Sequence, residues 1–164
     1  MTLKKILFAL LALAVIGGVC WWLFHEDEET RVRSRFHVLA EAVGKQAGEA
    51  NHTTAYKVLT MGGLFAEKVS ISIRQFPYNG ANTSEELVSL IARGRSMCTS
   101  ISISVPGMEV AIEGDRASVR CEGRAYITVN SQTYDEKRSF IARLAKVEGK
   151  WLFTDFEDDN LLKK

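Results

Sequence analysis

Cysteine is scarce in this chain: three residues in 164, with no CxxC pair and no cysteine–histidine spacing suited to zinc. Cys20 falls inside an apolar run, leaving Cys98 and Cys121 for the folded part, too few for a disulfide framework. A single Cys98–Cys121 bridge is one reading outside the cytoplasm, and two buried thiols is the simpler one. The three histidines all lie outside the strand-like segments, which excludes a sheet-borne Asp–His dyad. There is no Gly-rich phosphate loop, nucleophile elbow or cluster of metal ligands, so neither a metal nor a cofactor is expected. A charge excess is missing as well. All acidic residues, and all basic ones except Lys4 and Lys5, follow Phe24, leaving that portion one charge negative. Nucleic acid, which is held by clustered positive charge, is not an expected partner. Internal repeats and low-complexity runs are absent.

What the sequence does have is one uncharged apolar stretch, Ile6 to Phe24, directly after Lys4-Lys5. As a helix it would span roughly 28 Å, close to the hydrocarbon thickness of a bilayer. Trp21 and Trp22 stand at its far end, where indole rings favour the headgroup region, and His25-Glu26-Asp27-Glu28-Glu29 follows. The positive-inside bias keeps the N-terminus in the cytoplasm. A cleaved signal peptide is the rival, but the bulky Trp21-Trp22-Leu23-Phe24 occupies the place where small residues precede a cut. A lipoprotein reading of Cys20 meets Val19 where a small residue belongs. The expected organisation is therefore a cytoplasmic tail (1–5), a transmembrane helix (6–24), a juxtamembrane linker (25–29), one domain (30–157) and a flexible tail (158–164). The expected location is a bacterial inner membrane with the domain in the periplasm, and the first expected partner is the lipid bilayer.

About 135 residues outside the apolar run make one ordinary domain, large enough to bury a core without covalent staples. Val32, Phe36, Leu39, Ala40 and Val43 recur at helical spacing. Ala55, Val58, Leu59, Phe65 and Ala66 suggest a second helix, which Gly62-Gly63 would kink or end. Val69 to Ile73 alternates as a short strand, and Gln75 to Asn82 reads as a loop. Thr83-Ser84-Glu85-Glu86 is a capping box, opening a helix with Leu87, Leu90, Ile91 and Met97 as its buried stripe. Strand patterns then run through Ser100–Val105, Met108–Glu113, Ala117–Val129, Thr133–Val147 and Trp151–Phe156, separated by Pro106-Gly107 and by short turns. The expected class is α+β: three N-terminal helices packed on a curved antiparallel sheet.

That order, with Leu64-Phe65-Ala66-Glu67-Lys68-Val69, Thr83-Ser84-Glu85-Glu86-Leu87 and the closing Ala145-Lys146-Val147-Glu148-Gly149-Lys150-Trp151-Leu152-Phe153, resembles the nuclear transport factor 2-like superfamily, a cystatin-like cone. The resemblance covers roughly Glu28 to Phe156. Gly62-Gly63 departs from the unbroken second helix usual there. It implies a cavity between helices and sheet, used by ketosteroid isomerases, dehydratases and cyclase-like enzymes, while other members are association domains and transport factors. One fold with so many uses does not name a function. The membrane-tethered layout is similar to periplasmic scaffold subunits of type IV secretion machines.

Candidates for chemistry in such a cone are few. His37 shares a polar helix stripe with Arg33 and Glu41, and His52 sits in a polar turn. Asp155 is expected to share a strand face with Trp151 and Phe153, where an acid among aromatics could serve as a base, although a strand-end carboxylate meeting water is the commoner arrangement. Tyr56 is a second weak candidate, at the cone mouth. Arg116, Arg120 and Arg124 share a strand face at period two. They read as a solvated face with cross-strand ion pairs, or as a surface for a homodimer or a periplasmic protein partner. The expectation is a non-enzymatic binding or scaffolding module, with a membrane-tethered isomerase, cyclase or dehydratase-like enzyme as the alternative.

Overall fold

In the computed structural model the described residues are 27–159. The apolar run Ile6–Phe24 and the last five residues lie outside them. Among the described residues no helix is long and apolar enough to cross a membrane.

Three helices precede the four-stranded meander, with two strands between the second and third. Helix α1 (Glu28–Val43) buries Val32 and Phe36, one turn apart, and carries Glu28 and Glu29 in its first turn, where carboxylates favour the positive end of the helix dipole. Helix α2 (Asn51–Gly62) ends at the glycine pair instead of continuing through it. Phe65 and Ala66, expected on that helix, instead open strand β1 (Phe65–Ser72), which begins four residues earlier than the alternation at Val69 suggested. The outward stripe also differs from expectation, for Leu59 is 80% exposed. Strand β2 (Gly80–Thr83) takes up the end of the expected loop and runs into the cap residue Thr83. Helix α3 (Ser84–Met97) starts on the capping box as anticipated: Thr83 Oγ1 accepts the Glu86 amide at 3.2 Å, and Glu86 Oε2 accepts the Thr83 amide at 2.8 Å.

The meander follows as β3 (Ser100–Glu113), β4 (Arg116–Val129), β5 (Gln132–Val147) and β6 (Lys150–Asp158). Pro106-Gly107 bends one continuous β3 through a bulge and does not divide it. Asn130-Ser131 and Glu148-Gly149 both have positive φ at each central residue, the two-residue turn whose twist matches that of the strands. The six strands form one sheet in the order β2-β1-β6-β5-β4-β3. It is mixed and not purely antiparallel, because β1 runs parallel to β6. The α+β class and the three helices are as expected.

The helices cover one face of the sheet. Trp151, Phe153, Leu144, Val119 and Val69 from the sheet meet Val32, Met61 and Leu64, all with less than 2% exposure or close to it. Each such side chain contributes about 1.5–3 kcal/mol when removed from water. Phe36 packs edge-on to Phe153 at 5.0 Å, and Phe153 stacks on Phe156 at 5.3 Å.

Candidate functional site: an apolar pocket in the cone

Where the core ends, the concave face opens. Beyond Val119 and Cys121 the inward positions of β4 carry Gly123 and Ala125, too small to reach the helices. Leu39, Ala40 and Val43 of α1 stand over Ile103 and Val105 of β3, Phe140 of β5 and Phe156 of β6, and together they line a cavity of about 340 Å³. A Cβ at Gly123 would lie 3.0 Å from Cε1 of the Phe140 ring, so a larger residue there needs that ring to shift. The charged members of the lining are Glu136 and Arg138, exposed at the rim, and Arg124, whose side chain turns away to the outer sheet face. Arg138 Nη1 donates to the Arg74 carbonyl at 3.0 Å, fixing that side of the mouth. No histidine, aspartate, cysteine or tyrosine is among the lining residues.

Asp155 is not in this cavity. The β5–β6 register slips between Arg143 and Leu144, so that Leu144 faces Phe153 while Arg143 faces Asp155. One extra residue on β6 reverses the alternation, keeping Phe156 on the face of Phe153 and turning Asp155 to the other side. It lines an outer hollow of about 420 Å³ together with Arg116, Ser118, Ala111 and Arg143. Tyr56 is 71% exposed on α2 and does not line the cone. His37 and His52 are exposed as well. Neither expected candidate is positioned for chemistry in the cone.

Arg116, Arg120 and Arg124 do share the outer sheet face, in the order that the uninterrupted β4–β5 register dictates. Arg124 grips Asp135 with two bonds at 2.6 and 3.0 Å, lies over the Tyr126 ring at 4.9 Å, and has its pKa raised by those bonds and by that charge. Arg120 meets Asp159 at 3.3 Å and Glu109 at 3.7 Å. Lys137–Glu122 and Arg143–Glu157, each at 2.9 Å, extend the lattice. Among the described residues Arg116 has no carboxylate within ion-pair distance.

Two further polar features were not foreseen. Glu49, in the α1–α2 connection, bonds Arg95 Nη2 at 2.6 Å, Lys57 Nζ at 2.7 Å and Thr54 Oγ1 at 2.9 Å. Both side chains of the Glu49–Arg95 pair are 3% exposed. Burial alone would raise the Glu49 pKa, but the hydrogen bonds from Lys57 and Thr54 and the charges of Arg95 and Lys57 outweigh it and hold the carboxyl at about 2. Arg95 and Lys57 also donate to the Gly44 carbonyl at the end of α1, so the cluster joins all three helices. Arg95 falls eight residues after Leu87, on the buried stripe, whereas Met97, expected there, is 73% exposed. The second feature is Glu28, which accepts Trp151 Nε1–H at 2.8 Å and Lys146 Nζ at 2.9 Å; hydrogen bonds from Lys146 and Trp151 lower its pKa.

Cys98 and Cys121 are not bridged. Cys121 is buried under the cone, which pushes its thiol up to about 12.

No protein-family model matches the sequence, and no curated protein matches it. Solved structures do match the fold. A Kribbella flavida protein, Kfla4162, superposes with a TM-score of 0.66 at 11% identity, over 80% of this chain and 91% of that one. A candidate scytalone dehydratase from Novosphingobium aromaticivorans gives 0.62 at 16% identity, over 79% and 81%. An NTF2-like protein with a cystatin-like fold, also from Novosphingobium aromaticivorans, gives 0.61 at 12% identity, over 96% and 88%. The chain therefore has the nuclear transport factor 2-like fold. At these identities the likeness extends to architecture alone.

Proposed function

We propose that this chain is a membrane-anchored, extracytoplasmic binding module whose cone receives an apolar ligand without turning it over. The observation that carries the reading is the pocket: about 340 Å³, walled by aliphatic and phenyl groups, with Glu136 and Arg138 exposed at its mouth and the Arg124 side chain turned to the other face. Such a lining favours apolar surface and offers no acid or base at depth. Anchoring by Ile6–Phe24 belongs to the same proposal, because tethering raises the local concentration of a weak binder around its partners. The outer sheet face, with its ion-pair lattice and with Arg116 unpaired among the described residues, is the place for a second copy or a periplasmic protein to associate.

Native mass spectrometry of the full chain released from its own membranes tests the reading. The wild type should carry an apolar adduct, and Ala125→Phe, which fills the cavity from its floor, should lose it while keeping its melting temperature. A wild type that carries no adduct and takes none up from lipid extract would sink the proposal.

One observation favours a second reading. Glu136 is a carboxylate at the pocket rim with no ion-pair partner among the described residues. In a membrane-tethered isomerase, cyclase or dehydratase-like enzyme it would be the acid or base, since Asp155 and Tyr56 are elsewhere. A bound molecule chemically altered by the wild type and unaltered by Glu136→Gln would make that reading the better one.

A further inference from the structure

Phe24 ends the apolar run and Glu28 opens α1 four residues later. Four residues of chain reach at most about 14 Å. Glu28 is held by Trp151 Nε1 and Lys146 Nζ, which flank the β5–β6 turn, and Trp151 is itself 1% exposed and locked in the core. The first residue of α1 is thus fastened to one particular end of the sheet.

From this geometry we infer that the β5–β6 hairpin end of the domain rests at the surface of the bilayer that Ile6–Phe24 enters, and that the mouth of the cone is held at the far end, toward the aqueous compartment. The inference rests on the anchor reading given above. Helix α1 is 16 residues long, about 24 Å. Glu28 begins it, while the pocket residues Leu39, Ala40 and Val43 lie in its last turns. On the sheet, Gly123, Ala125, Glu136 and Arg138 lie toward the Asn130-Ser131 turn, opposite the hairpin that holds Glu28. A ligand therefore reaches the cone from the water side, from a soluble carrier or another protein, and not by sliding laterally out of the surrounding lipid.

The hairpin end has no basic patch to attract headgroups. Lys146, Lys150 and Arg116 are interspersed with Glu113, Asp115 and Glu148. Val147, 48% exposed, is the apolar side chain at its tip. Tether length and the Glu28 latch set the orientation, and the placement should be indifferent to salt and to lipid charge.

The test uses the full chain carrying Cys20→Ser and Cys98→Ser, with Cys121 left in the core, in vesicles of brominated phosphatidylcholine. A dye is attached through Lys150→Cys or Gln132→Cys, the first residues after the two like turns. They stand at opposite ends of β5, a 16-residue strand about 50 Å long. The dye at 150 should lose most of its emission to the brominated lipid and the dye at 132 should keep it, at low and high salt alike. Equal quenching, or quenching at 132 only, overturns the orientation. Glu28→Ala combined with Trp151→Phe should relieve the quenching at 150 while the circular dichroism of the fold is kept; unchanged quenching would show that the latch does not act. Alkaline carbonate separates the two levels. A protein that washes off the vesicles fails the anchor reading and this inference with it, whereas one that stays bound with its 150 dye in water fails the orientation alone.

Discussion

On β4, Val119 and Cys121 lie in the core while their neighbours Arg120 and Glu122 lie on the opposite face in water and ion pairs, and the contrast extends across the sheet. The concave face is apolar except for Glu136 and Arg138 at its open end: packed solid under α1 near Trp151, and hollow where Gly123 and Ala125 remove the side chains that would fill it. The convex face is a lattice of cross-strand charges, about half exposed. Both faces come from one alternating sequence, so their difference lies in side-chain size and charge and not in the backbone. The concave face is specialised by omission of bulk. On the convex face, high solvent screening leaves each pair little net energy.

The sharpest way to break the comparison is to remove the roof of the concave face. Arg95→Met leaves Glu49 buried with Lys57 as its cation and Thr54 as a neutral donor, and removing one partner of a buried pair costs about 3–5 kcal/mol, measurable as a shift in the urea midpoint. Acid should act on the same cluster. The Glu49 carboxyl titrates at about 2 in the fold and near 4.5 when unfolded, so the unfolded chain binds the extra proton between those values. Its contribution is complete above about pH 4.5 and is lost as the pH falls toward 2. Melting temperatures followed across that window should drop more steeply for the wild type than for Glu49→Gln, and parallel curves would remove the cluster from the account.

A smaller effect separates the thiols. At pH 8 a maleimide should modify Cys98, which is partly exposed, and leave Cys121 untouched until urea opens the cone. Rapid modification of Cys121 in the folded protein would mean that the concave face is looser than its packing implies. Smallest of all is the convex face. Asp135→Asn, which strips Arg124 of its two-bond partner, should leave the melting temperature within the scatter of repeat runs. A clear loss would show that the outer lattice carries structural load.

Much of the fold was legible because helix and strand periods differ. The α1 stripe of Val32 and Phe36, the capping box at Thr83 and the period-two arginines of β4 each point to one local structure, and each was found there. The site was less legible. Counting alternate positions puts Asp155 in the cone, but the bulge before it, a backbone irregularity without a residue signature, turns it to the other face. Arg95 sits on the helical stripe of Leu87 and Ile91, but a charged residue was not expected to occupy a core position until Glu49 from a distant loop neutralised it. The pocket did leave a trace in Cys121, Gly123 and Ala125, three successive small residues on the inward face of β4.

Methyl-resolved NMR of the full chain in nanodiscs, loaded with whatever apolar molecule accompanies it from native membranes, tests the central claim most directly. The account predicts through-space contacts from that molecule to the methyls of Ile73, Ile103 and Val105 and none to Ala111 or Ala145 on the convex side. Contacts confined to the convex side, or pocket methyls that do not respond, would contradict it.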